Sequence, residues 1–406
     1  VKPVKLKVFI KNIVNSLFGN KFFKNKLPKQ DNVKRILIIS LYFTGDLLFH
    51  TAAIEALKKL LPGVKIDIWA KSRSLDIIRF NPAIANILTY DNIKTASYRE
   101  ESSSDLSGKI SFLKRLRRAN YDIIFDLTGK YSTGLFTLFA KPKYSIGINY
   151  NYFGFCYDKF IPLNTASEAG HLIDKYLSVI RTGLNLDSKE WNEIKDKVST
   201  KPYVYLSNDD TVVIDRLLNE KFGSKDVPYI VLHITSGWSA KELPPGTFAE
   251  IIKYLNSIDI RYLIVGDSND ENRINEISGI INEEALKPEK YFVKLKLTQS
   301  AELIRRSKLF IGSDSAPLHI AGSFGIPSIG LFGPTNPDFS NPVGDNHKFI
   351  YHKLHCSASD DKQYCTRNGG FTCPFYECMN TIKSFEVISL IKTLYIEPEG
   401  YLNEKD

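Results

Sequence analysis

Short apolar runs alternate with segments of helical period along most of this chain. Arg35-Ile36-Leu37-Ile38-Ile39-Ser40 has the continuous apolar character of a strand buried on both faces. Residues Leu41 to Gly45 then turn, and from Asp46 apolar positions recur at helical spacing until Pro62-Gly63 stops them. Further strands are predicted at Lys65 to Ala70, Ile87 to Tyr90 and Asp122 to Leu127, with a helical segment at Phe112 to Arg118. The polar, lysine-rich tract from Asp187 to Asp226, which contains Pro202, interrupts the alternation and reads as a linker between domains. Beyond it, strands are expected at Tyr229 to Ile234, at Arg261 to Val265 running into Gly266-Asp267, at Leu309 to Gly312 and at Pro327 to Phe332. Helices are expected at Thr247 to Asn256, Ala301 to Arg306 and Pro317 to Phe324, with a loop at Thr235 to Gly246. Buried strands alternating with helices mean parallel, doubly wound sheets. The fold class is therefore α/β, with two Rossmann-like domains at 35–186 and 227–381, a helix and tail at 382–406, and a cleft where the carboxyl ends of both sheets converge.

The first 34 residues follow another pattern. Leu6, Phe9, Ile10, Ile13, Val14, Leu17 and Phe18 recur every three or four residues, giving one apolar helical face flanked by lysines, and Gly19-Asn20 suit its end. Charge sharpens this. The 406-residue chain carries a net +9, yet residues 1 to 35 alone hold ten basic residues against Asp31, and the other 44 basic residues are matched by 44 acidic ones. The body is electrically balanced, so a nucleic-acid partner is not expected. A cationic amphipathic helix ahead of a neutral body has the pattern of an interfacial anchor on an anionic membrane surface, reached through residues 1–30. The same pattern also suits a helix packed on the body with a solvated charged side. Lysines interrupt the apolar stretch and no small-residue cleavage site follows, so a secretory signal is not expected. Nor does any apolar run approach the roughly 18 residues that span a bilayer. The expectation is a soluble protein or one attached to a surface.

Four stretches carry candidate chemistry. Thr44-Gly45-Asp46 lies at a strand-to-helix turn, where Gly45 permits close approach and Asp46 is either an N-cap or a carboxylate that takes a proton from a substrate hydroxyl. In Gly312-Ser313-Asp314-Ser315-Ala316-Pro317-Leu318-His319, small residues follow a strand and Pro317 sits in the first turn of a helix. The open amides of such a helix suit a pyrophosphate, while His319 is a ligand contact or a core histidine. Ser236-Gly237-Trp238-Ser239-Ala240-Lys241 is a hydroxyl- and glycine-containing loop closed by a lysine, which adds a point charge to the same phosphates or is a surface lysine. Gly330-Leu331-Phe332-Gly333-Pro334-Thr335-Asn336-Pro337 leaves a strand through a glycine and two prolines. Cys356, Cys365, Cys373 and Cys378 are separated by eight, seven and four residues, unlike the paired short spacings of zinc sites. They read as reduced or occasionally paired cysteines sooner than as a metal cluster, and Cys156 as buried packing.

Together these features resemble glycosyltransferase family 9, the heptosyltransferase family of bacterial envelope polysaccharide synthesis. The similarity runs from Arg35 to about Leu394 and is carried by RILIISLYFTGDLLFHTAAIEALKKLLP, YIVLHITSGWSAKELPPGTFAEII and FIGSDSAPLHIAGSFGIPSIGLFGPTNP, the last being the most specific. Cys378-Met379 in a cysteine-containing tail also fits. The resemblance implies a GT-B fold and an inverting, metal-independent transferase with its acceptor on the N-terminal domain. Its donor is a nucleotide sugar on the C-terminal one, ADP-heptose by default, and the chain contains no Asp-x-Asp pair. No cofactor is implied. The acceptor implied is a lipid-linked glycan, and the location the cytoplasmic side, peripheral on the membrane. By the same resemblance Asp46 is the general base, with Thr44 and Gly45 on the acceptor side. Ser236, Gly237, Lys241, Asp267, Asp314, Ser315, Ala316, Pro317, His319 and Gly333 fall in donor-binding segments.

Three departures bear on the sugar. Ala316 stands where the family usually has glycine, Glu242-Leu243 follows the lysine in place of a basic or aromatic pair, and the residue three after Asp46 is Phe49, with His50 next. Alternative readings are another GT-B enzyme, such as a nucleotide-sugar epimerase, and a non-catalytic nucleotide-sugar binder at the membrane.

Overall fold

The computed structural model describes residues 25–93, 105–148, 154–161, 170–195, 201–266, 270–281, 291–370 and 372–396. The helix expected over residues 6–18 and the candidate Asp267 lie outside the described residues. The chain divides between Tyr203 and Val204 into two units.

The first unit is built on six parallel strands: β1 (Arg35–Ser40), β2 (Lys65–Ala70), β3 (Ile84–Thr89), β4 (Ile123–Asp126), β5 (Tyr144–Ile148) and β6 (Lys159–Ile161). Their order is β3-β2-β1-β4-β5-β6. β1 lies at the centre, with Ile36 paired to Ile66 on one side and Ile123 on the other. Ile36, Leu37, Ile38 and Ile39 are fully buried, which is why this strand is apolar at consecutive positions instead of alternating. The flanking helices are α1 (Thr44–Leu60), α2 (Leu106–Ala119), α3 (Tyr131–Ala140), α4 (Leu172–Gly183) and α5 (Ser188–Lys195). Trp69, Phe112, Leu116, Tyr121 and Ile124 form a core on one face. Near the amino end of the sheet the buried carboxylate of Asp67 accepts from Arg35 Nε at 2.9 Å, Asn86 Nδ2 at 2.8 Å and Tyr121 Oη at 2.9 Å. A buried charge is tolerable because it is paired and its lone pairs are used.

The second unit repeats the plan with β7 (Ile230–His233), β8 (Tyr262–Gly266), β9 (Phe292–Lys294), β10 (Leu309–Ser313), β11 (Ser328–Phe332) and β12 (His347–Tyr351), in the order β12-β11-β10-β7-β8-β9. Its helices are α6 (Asn208–Phe222), α7 (Pro245–Ser257), α8 (Glu271–Ile281), α9 (Leu297–Arg306), α10 (Ala316–Phe324) and α11 (Ser384–Ile391). Counted from its own first strand, each unit has the order 3-2-1-4-5-6 of a doubly wound nucleotide-binding sheet. Winding reverses between β1 and β4 in the first unit and between β7 and β10 in the second, and ligands of such sheets bind at that point outside the carboxyl ends of the strands.

The tract 187–226 carries α5 and α6. Ser207 caps α6 by accepting from the Asp210 amide at 3.2 Å, and Gly223 ends it at φ 76°, a conformation that favours glycine. The strongly apolar strands fall within a few residues of their predicted bounds. β5, β6, β9 and β12 carry no equivalent signal, because short strands at or near a sheet edge need little apolar sequence.

Candidate functional site

In the second unit β7 and β10 are neighbours, with His233 paired to Gly312, so the loops leaving their carboxyl ends adjoin. Lys241 closes the β7 loop in a single turn, Ser239–Lys241. Its ammonium donates to Asp314 Oδ2 at 2.6 Å and to the Asp314 carbonyl at 3.0 Å. Asp314 Oδ1 in turn accepts from Ser340 Oγ at 2.9 Å and has His319 Nε2 at 3.5 Å. These groups are nearly dry: Lys241 is 12% exposed at its side chain, Asp314 6% and His319 5%. Burial by itself would push the Asp314 carboxyl up, but the charge of Lys241 and the hydrogen bonds from His319 and Lys241 hold it well below the usual range. The pair is therefore an ammonium and a carboxylate fixed at the switch point.

The loop after β7 is held by further contacts. Glu242 accepts the Ser236 amide at 2.9 Å, and burial raises its carboxyl above the ordinary value. Ser236 Oγ accepts from the Trp238 amide at 3.3 Å, which folds Ser236-Gly237-Trp238 into a tight turn. Lys241 Nζ lies 4.9 Å from the centre of the Trp238 ring, a cation–π contact. Trp238 in turn sits 6.0 Å from Tyr364 and against Gly369, whose φ of 67° and lack of a Cβ both permit the contact.

Asp314 leads into α10, whose N-cap, Ser315, turns its hydroxyl back to the Ser313 carbonyl at 3.1 Å and does not cap the helix. Ala316 and Pro317 form the first turn. Gly333 is pressed by Met379 and Cys378, so a side chain there would displace those two residues. Cys356, Cys365, Cys373 and Cys378 line one cavity of about 120 Å³ that also touches Ala240, Gly333 and Pro334. All five cysteines are free thiols. Burial, with its three neighbours, pushes the Cys378 thiol to about 11. Among the described residues no group of His, Cys, Asp or Glu is arranged to hold a metal ion. Cys156 is buried in the first unit, its thiol pushed to about 12.

In the first unit Asp46 follows β1 at its switch point. The helix begins at Thr44, two residues earlier than expected, with Phe43 as N-cap. Asp46 is thus the third helical residue, and its Oδ2 accepts from the Phe43 amide at 3.3 Å. It remains partly exposed, unlike Asp314. Thr44 Oγ1 is 2.9 Å from Ser74 Oγ, which ties the turn to the loop after β2. His50 is wholly buried on α1, with Nδ1 2.6 Å from Ser40 Oγ and its ring edge-on to Tyr176 at 4.0 Å, and burial lowers its pKa to about 3. It is a neutral tie between helix and strand.

The structure therefore gathers Lys241, Asp314, Ser315, Ala316, Pro317 and His319 at one switch point, with Ser236 and Gly237 in the adjoining turn, and sets Thr44, Gly45 and Asp46 at the other. Sequence reasoning missed Ser340, the Trp238 ring contact, and the buried hydroxyls of Ser313 and Thr335, which have no hydrogen-bond partner among the described residues. Ser313 stood inside a flagged motif. Ser340 carried no signal, because it reaches Asp314 from 26 residues away.

Residues 109–368 match the family described as glycosyltransferase family 9 (heptosyltransferase). The lipopolysaccharide heptosyltransferase 3 of Escherichia coli is 26% identical over 313 residues, 75% of this chain and 85% of that protein. The crystal structure of a glycosyl transferase family 9 protein from Veillonella parvula superposes with a TM-score of 0.72 at 20% identity, covering 90% of this chain and 98% of that one. That of the E. coli ADP-heptose lipopolysaccharide heptosyltransferase II gives 0.68 at 19%, covering 89% and 98%. The GT-B fold class implied by the sequence is thus the fold observed. Asp46 lies outside the matched segment, whereas Lys241 and Asp314 lie within it. This chain belongs to glycosyltransferase family 9, the heptosyltransferase family, and is a glycosyltransferase.

Proposed function

We propose that this enzyme moves a sugar, heptose by default, from a nucleoside-diphosphate donor to a lipopolysaccharide-type or other lipid-linked acceptor, with inversion and without a metal ion. The reading rests above all on the buried Lys241–Asp314 pair beside the N-terminus of α10, at the switch point of the second unit. The relatives' names supply the sugar: one of the solved structures is an ADP-heptose heptosyltransferase. Lys241 and the first-turn amides of α10 neutralise the diphosphate, and they count most as its charge grows on leaving. Asp314 then acts through Lys241, fixing the ammonium in place with its carboxylate and its carbonyl. A carboxylate in direct contact with phosphate would repel it.

On the acceptor side Asp46 takes the proton of the attacking hydroxyl. The new bond forms at the anomeric carbon as the bond to the diphosphate oxygen breaks, and the diphosphate leaves with the electron pair. The cationic arm at residues 1–30 holds the enzyme at the cytoplasmic face of an anionic membrane.

General acid–base groups contribute about 10²–10⁴-fold. Asp46→Asn should lower transfer from ADP-heptose by that order while ADP affinity stays unchanged, as read by product formation and calorimetry. Undiminished transfer by this variant would remove the general-base assignment.

A further inference from the structure

The helix α2 (Leu106–Ala119) carries a charge pattern that the chemistry above leaves unused. It contains Lys109, Lys114, Arg115, Arg117 and Arg118 and no acid, although the chain outside the N-terminal arm is balanced. Phe112 and Leu116 face inward, Phe112 lying 4.6 Å from the Trp69 ring and stacked on Tyr90 at 5.1 Å. Lys114, Arg115, Arg117 and Arg118 are exposed, and among the described residues none of them makes an ion pair. Two cations in a last turn are ordinary, since they complement the helix dipole. Five without an acid exceed that.

The outward face is also apolar at its other end. Leu106 is 67% exposed and Ile110, one turn on, 46%. The helix start is capped: Asp105 accepts from the Gly108 amide at 2.8 Å, and Tyr90 Oη donates to the same carboxylate at 3.2 Å. The crossover to β4 runs the helix antiparallel to the strands, so Leu106 and Ile110 stand at the carboxyl edge of the sheet, the edge where β1 delivers Thr44–Asp46. Exposed aliphatic groups followed by a cationic stretch complement an anionic lipid surface, which offers an apolar boundary beneath phosphates. A nucleic acid would match the cations and leave the aliphatic end without a complement.

We propose that α2 docks the first unit onto an anionic phospholipid bilayer, with Leu106 and Ile110 entering the headgroup boundary and Lys114, Arg115, Arg117 and Arg118 on lipid phosphates. This segment is distinct in sequence from the N-terminal arm, and its proposed role rests on the lipid-linked-acceptor reading only for its purpose. Each cation near such a surface is worth about fivefold in partitioning, and the attraction fades with salt.

The test uses the full chain and vesicles of phosphatidylcholine with or without phosphatidylglycerol, reading partitioning by sedimentation and backbone exchange over residues 105–119. On anionic vesicles this segment should exchange more slowly than in solution, and also in a variant whose arm is neutralised by Lys2→Glu, Lys5→Glu, Lys7→Glu and Lys11→Glu. In that background Lys114→Glu, Arg115→Glu, Arg117→Glu and Arg118→Glu together should weaken partitioning by tenfold or more and abolish the protection. Leu106→Ser with Ile110→Ser should weaken it less. Unchanged exchange over 105–119 on vesicles, equal partitioning by the reversed variant, or protection by a DNA duplex in place of vesicles would each overturn the proposal. ADP affinity, measured in parallel, checks folding and reads the donor assignment separately.

Discussion

Each unit has a buried carboxylate where its fourth strand ends, and the two live in opposite surroundings. Asp126, the last residue of β4, accepts from the amides of Thr128 and Gly129 at 2.9 Å each and from Tyr157 Oη at 2.7 Å. It has no ion pair among the described residues, and burial pushes its carboxyl up despite those bonds. Asp314, next after β10, meets Lys241 and is driven down. The strand order is the same in both units, so topology fixes the position but not the charge. The charge comes from the loop after the first strand, which delivers Lys241 in the second unit and Asp46 in the first. One switch point thereby carries a cation, the feature behind the proposed diphosphate site. The other carries a carboxylate, the feature behind the proposed general base.

This contrast predicts unequal consequences for similar substitutions. Asp314→Ala leaves a nearly dry ammonium without its counter-ion and should cost about 3–5 kcal/mol in chemical denaturation of the second unit. Asp126→Asn keeps an acceptor for the two amides and strands no charge, so about 1 kcal/mol or less is expected. Equal losses at the two sites would mean that the Lys241 charge is not what distinguishes them.

A smaller effect separates structural from chemical histidine. His50 is neutral in the fold, with its pKa lowered from 6.5 to about 3. Its contribution is therefore complete above about pH 6.5 and is lost as pH falls towards 3, as the unfolded chain takes up the proton first. At pH 6 the loss is about 0.8 kcal/mol. Denaturation midpoints measured between pH 7 and 5 should fall more steeply for the wild type than for His50→Gln, and parallel slopes would mean that His50 already carries its proton in the fold.

Much of this was legible in sequence because the central strands are buried on both faces. Ile36–Ile39 and the β10 run read as strands without help from their neighbours, and the glycine- and proline-marked turns after them set the candidate residues. Of the edge strands β3 was legible, whereas β6 and β12 were not: they expose Phe160 and Phe349, so their pattern lacks a continuous apolar run. Asp46 was read as the start of its helix and is its third residue, because Phe43, a poor cap by residue type, occupies that post with help from the Asp46 carboxylate. The pairing of Lys241 with Asp314 spans 73 residues, and only the adjacency of β7 and β10 brings the two together. Sequence named both residues separately, and the fold made them one site.

The second unit's switch point is the proposed place where the donor diphosphate is held. Calorimetric titration of ADP into the wild type and Lys241→Gln tests that directly. A charge-assisted hydrogen bond of about 1.5–3 kcal/mol predicts roughly 10- to 100-fold weaker binding by the variant. Equal affinity for ADP in the two proteins, with the variant folded, would contradict it.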